Sequence, residues 1–169
     1  ETAVTVTTPA AGVSVLGLTV TAGATLTLGG NLAVTGATWT ANQAFYLEST
    51  GITINLNGRN ITAEKTHFGI DLGSQCGLTV NGLGNFTTTT VDTNQDANNT
   101  VGLYSDAHLI ITSGGYLDHT SGSMLFTGDS SSSIDLPTAF TAPAPTNVTI
   151  ENLQILVAGS SFTITATPE

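Results

Sequence analysis

Residues 51 to 62 read GITINLNGRNIT, in which apolar and polar side chains alternate from Ile52 to Leu56 before an Asn57-Gly58 break. Strict alternation is typical of a β-strand with one buried face and one wet face. Asn and Gly accept the positive φ of tight turns, so the break predicts a corner. Because the pattern resumes at Ile61, this short stretch predicts a strand, a corner and a second strand.

The same alternation recurs along the chain at a nearly regular spacing. Leu26, Ile52 and Leu78 lie 26 residues apart, and Leu109 and Ile134 continue the series. Strand-like triplets also follow one another in the same order within each interval, which predicts a repeat architecture. We predict an all-β parallel β-helix, or β-solenoid, of about six coils with three short strands each. An antiparallel β-sandwich is the alternative, but it gives no reason for one repeated order of strands.

The composition excludes several classes of function. Only 8% of residues are charged, and 32 Thr and 13 Ser supply the solvent-facing polar groups instead. The net charge of -10 repels a phosphate backbone or an anionic membrane, so no nucleic-acid partner is expected. The single Cys76 excludes an internal disulfide framework. No apolar run reaches the roughly 18 residues that predict a membrane span.

The start of the chain bears on its location. It begins at Glu1 rather than Met, and it lacks the basic and apolar opening of a signal peptide. We interpret this start as the product of leader cleavage, although a trimmed chain would begin in the same way. Together with the charge-poor, Thr-rich composition, it predicts an extracellular or cell-surface protein.

Three phrases resemble the coils of a known family: GITINLNGRNIT at 51 to 62, GLTVNGLGNFT at 77 to 87 and LTVTAGATLTLGGNLAVTG at 18 to 36. They resemble the right-handed parallel β-helix proteins of the pectin-lyase-like superfamily, and the last resembles the Thr- and Gly-rich coils of prokaryotic surface fibres. The resemblance implies coil geometry and not chemistry. Polysaccharide enzymes need grouped carboxylates with a basic residue, whereas this chain has only Arg59 and Lys65.

Two pairs of acidic and imidazole side chains remain as catalytic candidates: Asp106 with His108, and Asp118 with His119. Neither pair comes with an indicated nucleophile or oxyanion donor, so we interpret both as solvated loop groups. We predict no catalytic residues and no enzymatic activity. A relative of polysaccharide lyases or hydrolases is the alternative.

The phrase DTNQDANNT offers one candidate cation site. Asp92, Asn94 and Asp96 have the alternate spacing by which a loop wraps a hard cation. Ala97 and Leu103 stand where an EF-hand loop has Gly and a bidentate Glu, so the prediction is a looser surface calcium loop. A flexible Asn-rich insertion is the alternative, and no other cofactor is predicted.

Glycosylation sequons occur at Asn60, Asn85, Asn98 and Asn147. The 12 Asn and 45 Ser and Thr give about three sequons by chance, so their number is not evidence of glycosylation. Asn98, in the predicted insertion, is the best candidate for a glycan. For Asn60 and Asn85 the alternative is a structural role at corners, where their side chains would cap neighbouring coils.

The two ends of the chain decide the functional prediction. Parallel strands about 4.8 Å apart leave unpaired backbone groups at both ends of a solenoid, which monomeric solenoids cover with a cap or with charged strands. The sequence indicates no amphipathic helix at either end. TAVTVTT at 2 to 8 instead predicts an N-terminal extension within residues 1–12, separated by Pro9 and Gly12 from one solenoid domain over 13–169.

From this we predict a structural subunit of an extracellular prokaryotic filament, pilus or sheath, a homopolymer assembled head to tail by β-strand addition. Val4 and Val6 are the predicted donor-strand anchors, with Phe162 and Ile164 among the acceptors. The alternative is a carbohydrate-binding adhesin or tail-spike module for surface glycans, which needs clustered aromatic rings. The candidate rings, which are spread along the sequence, are Trp39, Phe45, Tyr46, Tyr104 and Tyr116.

Overall fold

The computed structural model describes residues 4–38, 43–68, 76–94, 99–118, 123–136, 147–150 and 152–157. These residues form β-strands, turns and connections. The strands are Thr5–Thr7 (β1), Val13–Val15 (β2), Leu18–Thr21 (β3), Thr25–Thr27 (β4), Leu32–Val34 (β5), Phe45–Glu48 (β6), Ile52–Asn55 (β7), Ile61–Phe68 (β8), Gly77–Asn81 (β9), Gly84–Asn94 (β10), Asn99–Tyr104 (β11), Ala107–Asp118 (β12), Ser123–Gly128 (β13), Ser133–Leu136 (β14), Asn147–Ile150 (β15) and Gln154–Val157 (β16). Within these ranges no helix is long and apolar enough to cross a membrane.

The strands form two parallel sheets. The first sheet has the order β1-β4-β7-β9-β11-β13-β15, and the second has the order β2-β5-β8-β10-β12-β14-β16, with β3 and β6 at its side. Each strand pairs in parallel with the equivalent strand of the next coil. The predicted all-β parallel solenoid is therefore confirmed. The sandwich alternative requires antiparallel pairing, which these strand pairs do not show.

The described residues form seven stacked coils, whereas about six were predicted, and the first described coil begins at β1. Pro9 and Gly12 do not separate an extension from the domain; they form a corner in which the Gly12 N–H donates to the Pro9 carbonyl (2.9 Å). The Thr8 hydroxyl fastens this corner to the next one by donating to the Gly30 carbonyl (3.0 Å). The structure thus places residues 4–12 inside the first coil, where the sequence had indicated a separate extension.

Among the described residues, the first two coils show the three distinct short strands predicted for each coil. In the third coil β8 covers two sides, since it pairs with β5 from Ile61 to Ala63 and with β6 from Thr66 to Phe68. In β10 the bend is marked by an irregular register between Thr88 and Thr90. The triplets seen in the sequence are therefore halves of longer strands that bend around the core.

The interior is a stack of apolar columns, one residue from each coil. One column in the first sheet contains Leu26, Ile54, Val80 and Leu103. One in the second contains Leu32, Ile61, Phe86, Leu109 and Ile134. All of these side chains are buried. Burial of each contributes roughly 1.5–3 kcal/mol, so the columns supply the main driving force for stacking coils.

Corners between the two sheets are tied together by asparagine side chains. Asn31 Oδ1 accepts the Asn60 backbone N–H (3.0 Å), and Asn60 Oδ1 accepts the Asn85 backbone N–H (3.0 Å). At the Asn57-Gly58 corner φ is positive at both residues, at 53° and 70°. Asn60 has the structural role given as its alternative, because its side chain accepts a hydrogen bond from the next coil. Asn85 takes part in this bond through its backbone N–H, so a capping role for its side chain stays a prediction.

A carboxylate performs the same task at a later corner. Asp129 accepts hydrogen bonds from the Ser105 backbone N–H (2.7 Å) and from the hydroxyls of Ser131 (2.8 Å) and Ser132 (2.9 Å). The Ser105 bond, followed by the Ser131 hydroxyl bond, lowers the pKa of Asp129 from 3.8 to about 2. These bonds favour the ionised carboxylate, which therefore joins two successive coils over most of the pH range.

Candidate assembly surface

The N-terminal coil exposes side chains that belong to the core columns. Val6 pairs with Leu26 and occupies the same inward position, yet Val6 is 53% exposed and Leu26 is 5% exposed. Val4, two residues earlier on the same face, is 58% exposed. Both valines face inward but have no coil before them among the described residues. Their exposure is therefore a property of the end of the stack.

The second sheet ends in the same way. Val13 and Val15 pair with Leu32 and Val34, which are buried, while the two valines are only partly buried. Leu16, which follows β2, is 57% exposed. We name this surface, made of Val4, Val6, Val13, Val15 and Leu16, the open end. Sequence analysis missed the last three residues because it did not recognise residues 4–21 as a coil.

Thr5 and Thr7 of β1 direct their backbone N–H and C=O groups away from β4, whereas Val4 and Thr8 direct theirs toward it. The Val4 carbonyl accepts from Thr25 N–H (2.8 Å), and Thr8 N–H donates to the Thr27 carbonyl (3.0 Å). Since alternate residues of a parallel strand bond to opposite sides, the N–H and C=O groups of Thr5 and Thr7 face the other side of β1. No described strand pairs with that side.

The edge also lacks the features that prevent sheets from extending. No Asp, Glu, Lys or Arg occurs between residues 4 and 21, although the chain as a whole carries twelve acidic residues. Pro9 lies at the corner and not within β1, β2 or β3. Exposed strands are usually protected by charge, proline or a covering element. An unprotected apolar edge is suited to pairing with another parallel coil.

The predicted assembly residues have different outcomes. Val4 and Val6 are exposed as the prediction required, but β1 is paired with β4 of its own chain. They are therefore not anchors on a strand held outside the domain; the hydrogen-bonded corner after β1 fixes the strand in its own sheet. Phe162 and Ile164 lie outside the described residues.

Two of the three calcium candidates lie at the end of a strand. Asp92 and Asn94 belong to the end of β10, where they are in register with Tyr116 and Asp118 of β12. Asp96 lies outside the described residues. Among the residues that the structure describes, no group of three His, Cys, Asp or Glu side chains is arranged to hold a metal ion.

The sequons occupy contrasting positions. Asn60 is exposed and Asn85 is partly buried, and both belong to the row of hydrogen bonds that joins Asn31, Asn60 and Asn85 at successive corners. Asn147 begins β15. Asn98 lies outside the described residues. The structure thus assigns a corner role to the Asn60 side chain, while glycosylation at any of the four stays a prediction.

One catalytic candidate, His108, lies beside Ser133, which the sequence did not indicate as a functional residue. His108 Nδ1 lies 2.7 Å from Ser133 Oγ, and Ser133 is 3% exposed. Asp106 is exposed at a corner with φ of 65°. Asp118 is the last residue of β12, and His119 lies outside the described residues. The histidine and serine continue the corner column of Asn85.

Aromatic rings do not form a cluster on the described surface. Phe45 and Tyr46 are buried, Tyr46 stacking on His67 with 5.3 Å between ring centroids. Tyr104 is the exposed ring among the described side chains, at 37% exposure. A groove of about 440 Å³ near the open end is lined by small, amide and aliphatic residues, including Ser14 and Leu32, and by no aromatic ring.

No family model, curated protein or solved structure matches this chain. Within the described part of the chain, the open end is where inward-facing valines are exposed and one side of a strand has no partner.

Proposed function

We propose that this protein is a structural subunit of an extracellular prokaryotic filament, pilus or sheath, in which the open end of one copy stacks on the far end of another. The observation that carries the proposal is the unprotected edge of β1 and β2, with its exposed inward-facing valines. Covering this edge buries the valines and supplies partners for the backbone groups of Thr5 and Thr7. A second copy of the chain has the required shape, because its coils repeat the same cross-section.

The proposed contact is head to tail. All strand pairs between coils are parallel, so each coil is related to the next mainly by translation. Stacking that continues this translation joins two different surfaces, the first coil of one copy and the last coil of its neighbour. Such a heterologous contact does not close on itself and produces a filament.

The mode of strand addition differs from the one that the sequence suggested. A free strand is not handed to a neighbour, because β1 is already paired with β4. The whole first coil is instead the added element, and β1 contributes its unpaired side. The extracellular location remains part of the proposal and is supported by the Thr-rich composition with few charges.

A proline substitution on the open edge tests the proposal. Thr7→Pro removes an N–H that points away from β4 and leaves the bond from Thr8 N–H to the Thr27 carbonyl in place. Because prolines are accepted on strand edges, the variant is expected to fold. Thr5→Ser is the matched control, since it changes the outward side chain of β1 and keeps the backbone donor.

We expect filaments of the wild type and of Thr5→Ser in electron micrographs, and dispersed particles of Thr7→Pro with an unchanged β-sheet circular dichroism spectrum. Filaments of the folded Thr7→Pro variant would contradict assembly through this edge. Absence of filaments in the wild type at all concentrations would contradict the proposed function itself.

A further inference from the structure

The backbone of every coil has the same polarity. Thr25 N–H donates to the Val4 carbonyl (2.8 Å), and Thr53 N–H in the next coil donates to the Ala24 carbonyl (2.9 Å). Outward-facing residues of the first sheet thus direct their backbone groups to the preceding coil. Inward-facing residues direct theirs to the following coil. The donors and acceptors left over at one end of the stack therefore match those left over at the other.

The second sheet keeps one register through all seven coils. The residues in register with Val13 are, in coil order, Leu32, Ile61, Phe86, Leu109, Ile134 and Ile155. The residues in register with Ser14 are Ala33, Thr62, Thr87, Ile110, Asp135 and Leu156. The last coil among the described residues therefore has the same backbone register as the first described coil.

From these columns we infer that, if the proposed head-to-tail assembly holds, β2 of one copy pairs with β16 of its neighbour so that Val13 lies opposite Ile155 and Ser14 lies opposite Leu156. The same register places Thr5 N–H of β1 against the Ile150 carbonyl of β15. The inference rests on the proposed function and adds the partner surface and its alignment.

Other alignments are disfavoured by the pattern of the strands. A slip of one residue turns Val13 and Val15 to the solvent face, because side chains alternate with a period of two. A slip of two residues shifts the Gly12 corner away from the stack of corners, although in the existing coils these corners are in close contact. A Cβ at Gly12, for example, would lie 2.8 Å from the Asn31 carbonyl oxygen. A head-to-head contact would oppose two edges with the same unpaired groups.

Engineered cysteines at adjacent column positions test the register. Assembled Ser14→Cys/Leu156→Cys protein is treated with a short bifunctional thiol reagent, and the products are separated under denaturing conditions. Strands in register lie about 4.8 Å apart, so the two thiols are within reach of one reagent molecule. Ser14→Cys/Gln154→Cys is the matched control, with the second thiol two residues away on the same face. The native Cys76 is buried in every variant.

We expect a ladder of crosslinked multimers from the Leu156 pair, a much weaker ladder from the Gln154 pair and none from Ser14→Cys alone. A stronger ladder from the Gln154 pair would overturn the register, and crosslinking of Ser14→Cys alone would show a head-to-head contact. Filaments visible in the same samples without any ladder would also overturn the register while leaving the proposed function intact. Absence of filaments would overturn both.

Discussion

Substitution of Val6 by aspartate separates the stability of the subunit from the stability of the junction. Val6 is 53% exposed in the single copy, while its column neighbour Leu26 is 5% exposed. Stacking would bring Val6 to a similar state, and covering about half of a valine contributes roughly 1 kcal/mol. At pH 7 the carboxylate of Val6→Asp must also be neutralised or buried with its charge. Neutralising an ordinary aspartate at this pH costs about 4 kcal/mol.

Together these effects weaken each junction by about 5 kcal/mol, which is more than about a thousandfold in the dissociation constant. The isolated subunit loses much less, because the half-exposed carboxylate stays in water. Sedimentation velocity and circular dichroism on the same samples measure the two effects. Val6→Asp is expected to sediment as a folded monomer where wild type and Thr5→Ser sediment as polymers. If Val6→Asp polymerises at the wild-type concentration while folded, the open end is not the junction.

Three further predictions concern the coils. Asn60→Ala removes one of the asparagine hydrogen bonds that join successive corners, and it is expected to lower the free energy of unfolding by about 1 kcal/mol in urea titrations. Asn81→Ala, at an exposed outer position, is the control. Equal losses of stability from the two variants would contradict the role of the asparagine bonds. The pKa of Asp129 in the folded protein lies below its unfolded value of 3.8, so the stability that the carboxylate contributes is present above about pH 4 and is lost toward pH 2. Asp129→Ala should therefore lower the melting temperature at pH 7 and not at pH 2. Equal shifts of the melting temperature at the two pH values would refute this role of Asp129. A chelator is expected to lower the melting temperature of the wild type and not of Asp92→Ala/Asp96→Ala, and the calcium prediction fails if the wild type does not respond.

The fold was predictable because its rules are local. Alternation in ITINL fixes which residues face the core, and the Asn57-Gly58 pair fixes a corner through two positive φ angles. The period of about 26 residues approximates the length of a coil, and it aligns Ile52 with Leu78 correctly. It does not give every register, because Leu26 pairs with Ile54, 28 residues later, and Leu109 and Ile134 belong to the second sheet. Even the hydrogen bond from Asn85 N–H to Asn60 was anticipated, since an asparagine beside a corner has a short side chain that reaches the neighbouring backbone.

The open end was harder to predict because it depends on contacts between distant residues. Pro9 and Gly12 predict a break in the chain after Thr8, but a corner needs the same residue types. The pairing of β1 with β4 and the bond from the Thr8 hydroxyl to Gly30 distinguish the two. β10 continues to Asn94 through a bend that the Thr-rich sequence does not mark. The exposure of Val6 follows from where the stack ends, which its own sequence neighbours do not determine.

The strand spacing across each junction of the filament tests head-to-tail stacking most directly. Head-to-tail stacking continues the spacing of about 4.8 Å between parallel strands from one copy to the next. Helical reconstruction from electron micrographs of the untagged protein measures the strand spacing through each junction. We expect parallel strands that continue from one copy to the next without a break. A filament in which neighbouring copies are related by a two-fold axis, or a gap in the strand stack at each junction, would contradict the account.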